Sequence, residues 1–420
     1  MNLIRRLDRN YSLLVLGASV ILMMVSSGTI FLLVVALKPI SAELGWSRTL
    51  LSSAYSFLFL GTGVGGVFIG YWLDRSGMAK PAAMGGLMIA SGTLIAGAAT
   101  NPIVFLMTYG IMLGLLGQAT MFGPLSANIT HWFTRRRGAA VGLVAGGQSL
   151  AGILWPPIFR YFNEWIGWRD TFLWFALLAF VTMVPLSVIF KRKSPSQLAR
   201  AKRQEKESDA GRPVKTETMA RTTLGISTGA LQAILCVAII GCCISMSLPL
   251  AHLVSHATDI GISTANAAEL LSVLLLGSFV SRGVLLGMLV DRVGGLRALI
   301  IFSAGQAVSL LILGLMQDLT GLFIIAAVFG LSYGAILPAY PTIIREYMPA
   351  SEIGRRTGIV ILFGTIGMAI GGWLGGIAFD TTGSYVPAFL TGVAANLGNV
   401  VIIGALIYRT RFASPAPRPA

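Results

Sequence analysis

GYWLDRSG, residues 70–77, returns as GMLVDRVG at residues 287–294. Gly70 pairs with Gly287, Asp74 with Asp291, Arg75 with Arg292 and Gly77 with Gly294, at an offset of 217. The same offset pairs Gly117 with Gly334 and Pro124 with Pro341, and an offset of 219 pairs Arg137 with Arg356 and Gly152 with Gly371. Chance matches between glycine-rich segments scatter. One offset sustained across several segments marks a duplicated unit, and a unit about 217 residues long accounts for most of the 420-residue chain.

Each copy is built for lipid. Hydrophobic residues make up 55% of the chain and charged ones 11%, where a soluble protein carries about 25% charged. The mean hydropathy is +0.79. A spanning helix needs about 20 apolar residues. Twelve such runs fall near 12–37, 50–73, 81–100, 103–128, 138–159, 170–190, 226–254, 265–289, 296–316, 321–344, 357–379 and 386–408. The first is longer than the roughly 7–15-residue core of a signal peptide, so it is expected to stay as a span. Glycine ladders at Gly138-Gly142-Gly146 and Gly367-Gly371-Gly375 suit close helix packing in lipid. The fold class is therefore an all-α membrane protein of twelve transmembrane helices in two six-helix bundles. Its parts are residues 1–190, a linker at 191–225, a second bundle at 226–409 and a tail at 410–420. The linker, KRKSPSQLARAKRQEKESDAGRPVKTETMART over 191–222, is too charged to bury a core of its own.

The net charge of +15 invites a nucleic-acid reading, which the positions of the charges exclude. With the N-terminus in the cytoplasm, 26 of the 31 Lys and Arg fall on the cytoplasmic side. Four fall opposite, Lys38, Arg48, Arg160 and Arg169, and Arg282 lies between. Ten of the 26 belong to the linker. Without them the bias still sets the orientation, with both termini cytoplasmic. The basic residues report topology and contact with anionic membrane lipids. The three cysteines, Cys236, Cys242 and Cys243, share one apolar span and show no metal-ligand spacing. No ATP-binding loop of the GxxxxGK[ST] type appears, and neither metal nor cofactor is expected.

The motif G-x-x-x-D-R-x-G, present after the second span and again after the eighth, resembles the signature of the major facilitator superfamily. That resemblance implies two pseudo-symmetric bundles rocking about a central cavity. It also implies a cytoplasmic latch built from Gly70, Asp74, Arg75, Gly287, Asp291 and Arg292. Gly70 would allow close helix contact, and Asp74 would pair with arginines or with a helix N-terminus. LKPISAELGWSR (37–48), HWFTRRRGAAVGL (131–143), GWRD (167–170) and HLVSHATDIGIS (252–263) narrow it further. Together with an arginine in the eighth span, they resemble the bacterial monocarboxylate transporters and their oxalate/formate-antiporter relatives.

That arginine is Arg282, in GSFVSRGVLLGMLVDR (277–292). It lies about 12 Å inside its span, where a charge costs about 2.5–3.5 kcal/mol or more. It does not deprotonate. The acid on its own helix, Glu269, is 13 residues away, about 20 Å. The expected partner is a mobile anion, since a guanidinium fork matches a carboxylate with two parallel hydrogen bonds. The family resemblance likewise gives an eighth-span arginine to the substrate. Its usual spacing from that arginine to the next motif glycine is four residues. Here Gly287 follows Arg282 by five, and Ser278 stands where animal monocarboxylate transporters have an aspartate linked to proton coupling.

Lys38, placed at the end of the first span before Pro39, matches a family lysine implicated in substrate and proton passage. Other candidate substrate contacts are Tyr55, Gln118, Gln148, His252, Tyr333, Tyr340 and Asn396, all polar or aromatic residues within spans. Each suits a helix–helix hydrogen bond equally well. His252, Asp259 and Glu269 are candidate proton carriers. The eleventh span carries no charge between Arg356 and Asp380, where oxalate-type relatives use a lysine. One central cation suits one carboxylate.

These readings converge on secondary transport of a small monocarboxylate such as lactate or pyruvate. It would run with protons or against a counter-anion, through a monomer in the bacterial inner membrane. Efflux of another organic anion or drug-like compound is an alternative, although GGQSLAGILWPP (146–157) lacks the Gly-Pro pair of drug antiporters. A carboxylate receptor of transporter shape is another. No Ser/His/Asp, HExxH or paired-carboxylate arrangement within the spans points to an enzyme.

Overall fold

A computed structural model describes residues 2–133, 137–192, 194, 226–349 and 352–410. The linker apart from its first residues, and the tail from residue 411, lie outside the described residues. Among the described residues, eleven helices are long and apolar enough to cross a membrane. One of them, Ala139–Lys191, runs 53 residues, about 80 Å at 1.5 Å per residue against a hydrocarbon core of about 30 Å. It holds two crossings, hinged at Gly167, whose φ of 83° interrupts the helix. Twelve spans follow, as the apolar runs predict.

The first span differs at its end. It was expected to stop at Lys38, before Pro39, but the helix Asn2–Leu44 continues through Pro39. A proline removes one backbone donor, and membrane helices tolerate that where neighbouring groups compensate.

The spans are not uniform rods. Within the fourth, Pro102–Trp132, a π-helical stretch at Thr108–Gly117 gives way to a 3-10 turn at Gln118–Thr120. The tenth, Leu319–Tyr347, breaks into a turn at Gly334 and Ala335. Gly117 and Gly334 are repeat mates, so the duplicated unit carries its break with it. In the eighth span, Thr264–Val293, a π turn occupies Ser281–Leu285. A π turn takes one extra residue into the helix. This absorbs the extra residue in the five-residue step from Arg282 to Gly287.

Glycines set the packing inside each half. The ladder at Gly367, Gly371 and Gly375 lies against the seventh span, Thr228–Asp259: a Cβ on Gly367 would come 2.6 Å from the Ile240 carbonyl oxygen. A Cβ on Gly277 of the eighth span would come 2.7 Å from the Ala327 carbonyl oxygen in the tenth, and one on Gly330 would strike the Leu274 carbonyl. Backbone cannot yield as a side-chain tip can. Gly330→Val is therefore expected to lower the thermal midpoint of the purified protein clearly, with a cost of about 1–3 kcal/mol from overpacking. An unchanged melting curve would contradict this packing.

Between the halves, the second span meets the eleventh, Ile353–Thr382, and the fifth meets the eighth. The face bearing the chain ends will be called the termini face, and the opposite one the far face. Toward the far face the halves interlock. A Cβ on Gly376 would lie 2.7 Å from Thr49 Cα, and Ser56 Oγ donates to the Ala369 carbonyl at 2.6 Å. Midway, Gly146 abuts Phe279, and Ser149 Oγ is 3.5 Å from Ser278 Oγ. Toward the termini face the contact is lost: a Cβ on Gly70, Gly142, Gly287 or Gly358 would meet nothing within 4 Å. The halves interlock at the far face, and these four glycines make no such contact toward the termini face.

Candidate substrate site and far-face gate

Arg282 stands where the halves part, one turn past Ser278 and Phe279. The π turn and the break in the tenth span together fix it. Breaking the helix at Gly334 frees a carbonyl, and Arg282 Nε donates to it at 3.0 Å. The guanidinium carbon is 5.9 Å from the centre of the Tyr333 ring. Arg282 is half-buried and forms no ion pair with any described residue. Nε is committed to the backbone, and the two terminal nitrogens have no carboxylate partner among the described residues. This is a permanent cation, oriented by the backbone and without a carboxylate partner among the described residues.

The other predicted residues distribute among three places. Tyr333, buried, joins Arg282. Gln148 is half-buried on the fifth span beside Ser149, near the same level. Gln118 instead ties the broken fourth span to the first, donating to the Ser26 carbonyl at 2.5 Å and to Thr29 Oγ1 at 3.1 Å. Tyr340 and Asn396 lie inside the second half. Tyr340 donates to Asn399 Oδ1 at 3.3 Å, and Asn396 Nδ2 reaches the Ser303 carbonyl at 2.9 Å and Gln306 Oε1 at 3.0 Å. Their polar groups are spent on helix–helix bonds.

The third place is the far face. Lys38 Nζ pairs with Asp259 Oδ1 at 2.7 Å and donates to Thr258 Oγ1 at 2.9 Å. Arg48 forks onto the same carboxylate, with Nη2 on Oδ1 at 3.0 Å and Nη1 on Oδ2. Lys38 and Arg48 belong to the first half and Asp259 to the second, so the three bolt the halves together. Asp380, at the end of the eleventh span, takes the backbone N–H groups of Arg48 and Thr49 at 3.2 and 2.8 Å. It caps the second span's N-terminus with negative charge. Arg48 also donates to Tyr385 Oη at 3.0 Å. Burial lifts the Tyr385 phenol above its ordinary range against the pull of Arg48, so it stays a neutral hydroxyl.

His252 is fully buried beneath this bolt, its Nε2 2.8 Å from the Gly372 carbonyl and its ring stacked on Tyr385 at 4.9 Å. Tyr55 packs on Phe59 at 4.7 Å and against Gly372. Glu269 is exposed on the eighth span. Thus Lys38 and Asp259 meet each other rather than Arg282, and Glu269 meets neither. The Arg48–Asp259 bolt escaped the sequence reading. Its signal was that Arg48 is one of only four basic residues on its face.

At the termini face the second copy of the motif stands apart. Asp291 and Arg292 are exposed and contact no described side chain through a hydrogen bond or ion pair. Gly70 and Gly287 have open space where close contact was expected: no neighbouring atom lies within 4 Å of where a Cβ would stand on either. The Asp74 side chain lies outside the described residues. Arg75 is exposed on the last turn of the second span. Instead, Glu346 of the tenth span accepts from the Gly295 N–H at 3.0 and 3.1 Å and caps the ninth span just after the repeated motif.

Against known proteins, the sequence profile of the Major Facilitator Superfamily matches residues 19–231 and 233–420. The chain is 27% identical over 344 residues to monocarboxylate transporter 13 of Bos taurus, covering 81% of this chain and 76% of that protein. It is also 27% identical over 355 residues to the uncharacterized MFS-type transporter YcxA of Bacillus subtilis (strain 168), covering 83% of each. Among solved structures, the crystal structure of a point mutant of the nucleoside transporter NupG superposes with a TM-score of 0.70. It covers 94% of this chain and 99% of that one at 10% identity, a likeness of fold alone.

Proposed function

Because the chain belongs to the major facilitator superfamily and is a transporter rather than an enzyme, we propose that it carries a small monocarboxylate by alternating access, with Arg282 holding the carboxylate. The observation that carries this reading is a guanidinium within the eighth span that has no carboxylate partner among the described residues. Nε is anchored on the Gly334 carbonyl, and the planar fork of the terminal nitrogens is the geometry that matches a carboxylate. The likeness to monocarboxylate transporters supports the same class of substrate. Tyr333 stands beside the cation, and Gln148 is a predicted polar contact on the opposite half.

In this reading the termini face is cytoplasmic, as the distribution of Lys and Arg indicates, and the membrane is the bacterial inner membrane. The structure then represents the inward-open state. Transport outward or inward requires the Lys38–Asp259–Arg48 bolt to break while the latch at Gly70, Asp74, Arg75, Gly287, Asp291 and Arg292 closes. A monomer contains both gates and the central site. Proton symport and exchange against a second anion both fit one central cation. His252 and Asp259 are the proton carriers best placed to change their exposure as the far face opens.

Purified protein in liposomes tests the reading. Labelled lactate or pyruvate should accumulate, and unlabelled monocarboxylates should compete better than dicarboxylates. A pH gradient that drives accumulation identifies symport. Accumulation that instead needs an internal anion identifies exchange. No movement of any carboxylate would overturn the assignment.

A further inference from the structure

We propose that the clasp around Arg48 is also a binding site for guanidinium compounds, exposed whenever the far face opens. The inference rests on the alternating-access reading above. Arg48 is held as a ligand would be held. Both terminal nitrogens sit on the two oxygens of Asp259, Tyr385 Oη accepts a further hydrogen bond at 3.0 Å, and the guanidinium carbon lies 3.5 Å from the centre of the Phe379 ring. A carboxylate fork and an aromatic face are the groups that recognise a planar guanidinium.

The division between halves makes this a site. Asp259, Phe379 and Tyr385 all belong to the second half, and Arg48 and Lys38 both belong to the first. When the halves rock as bodies, the clasp keeps its shape and loses both cations together. Asp259 is then left uncompensated, facing the outer solution. An outside guanidinium occupying the clasp takes the place Arg48 needs, so the far face cannot reseal and transport stops.

A neighbouring cavity narrows the guest. It measures about 170 Å³ and shares Asp259, Phe379 and Tyr385 with the clasp. Its wall includes His256, which is buried and whose Nε2 has no hydrogen-bond partner, and the apolar Met316 and Val386. A cavity of about 150 Å³ is enough to hold a benzene ring. An arylguanidine therefore satisfies both parts, with its fork on Asp259 and its ring in the cavity.

Phenylguanidine is the probe, with benzyltrimethylammonium as a cation of similar bulk lacking N–H donors. In direct binding to the purified full chain, Arg48→Ala should bind phenylguanidine at least about tenfold more tightly than wild type, because the competing side chain is gone. Adding Asp259→Asn should abolish that gain, and benzyltrimethylammonium should show none of it. Equal binding to Arg48→Ala and wild type, or undiminished binding to the double variant, would overturn the proposal. A second arm needs no variant: phenylguanidine applied to the far side should inhibit carboxylate uptake by wild type, and benzyltrimethylammonium should not. Normal uptake under saturating phenylguanidine would sink the inference and leave the transport reading intact. Absence of carboxylate uptake altogether would sink the transport reading, while the binding arm would still decide the clasp.

Discussion

Arg282→Lys is expected to lower uptake of a labelled carboxylate by about two orders of magnitude while insertion and thermal midpoint stay near wild type. Truncating one partner of a desolvated, hydrogen-bonded charge pair costs about 2–5 kcal/mol, and two orders of magnitude correspond to about 2.8 kcal/mol. The charge survives this substitution, so the loss would come from geometry. Arginine can keep Nε on the Gly334 carbonyl and still present two terminal nitrogens side by side. An ammonium is a single point: anchored on the carbonyl it offers no fork, and turned to the ligand it leaves the carbonyl unmet. Initial rates in liposomes, with protein quantity checked by blotting, measure the effect. Uptake by the lysine variant at the wild-type rate would show that the fork does not hold the substrate.

Gly376→Trp is expected to abolish transport altogether without unfolding either half. Gly376 faces the other half: its Cβ direction points at Thr49 Cα, the Arg48 carbonyl and Ser52 Oγ, at 2.7–2.8 Å. A large ring there wedges the far face apart and leaves the internal packing of each bundle untouched. A reporter cysteine at Leu37, buried in the sealed structure, should be inert to a charged thiol reagent from the far side in the parent and reactive in the Gly376→Trp background. The native cysteines Cys236, Cys242 and Cys243 are buried and make a low background. The adjacent position behaves differently. Gly375 abuts the His252 ring within its own half, so Gly375→Trp should yield misfolded protein instead of a locked one. Full transport by Gly376→Trp would mean that the far face does not seal through this contact.

What the sequence disclosed and what it withheld follow the range of the forces involved. Burying apolar surface in lipid needs runs of fixed length, so twelve spans and the duplication at 70–77 and 287–294 could be read directly. The crossing hinged at Gly167 and the continuation through Pro39 were less legible, because one glycine or proline sets an angle that only the surrounding packing decides. Arg282 was legible because a charge in hydrocarbon demands explanation from its own neighbourhood. Its spacing of five residues to Gly287 was visible as an irregularity, and the π turn supplies the cause. Tyr340 and Asn396 show the limit of such reading. A polar side chain in a span satisfies itself equally on a substrate or on a neighbouring helix, and only the packing of the seventh, ninth, tenth and twelfth spans assigns these two to the latter. The Arg48–Asp259 bolt joins residues 211 apart, and nothing local ties them together.

One guanidinium is proposed to receive one carboxylate. The most direct measurement compares lactate with lactamide as competitors of labelled uptake, two solutes of nearly equal shape that differ in the charged group. Lactate should compete and lactamide should not, and Arg282→Lys should erase most of the difference between them. Equal competition by the amide, or discrimination that survives in Arg282→Lys, would contradict the proposal.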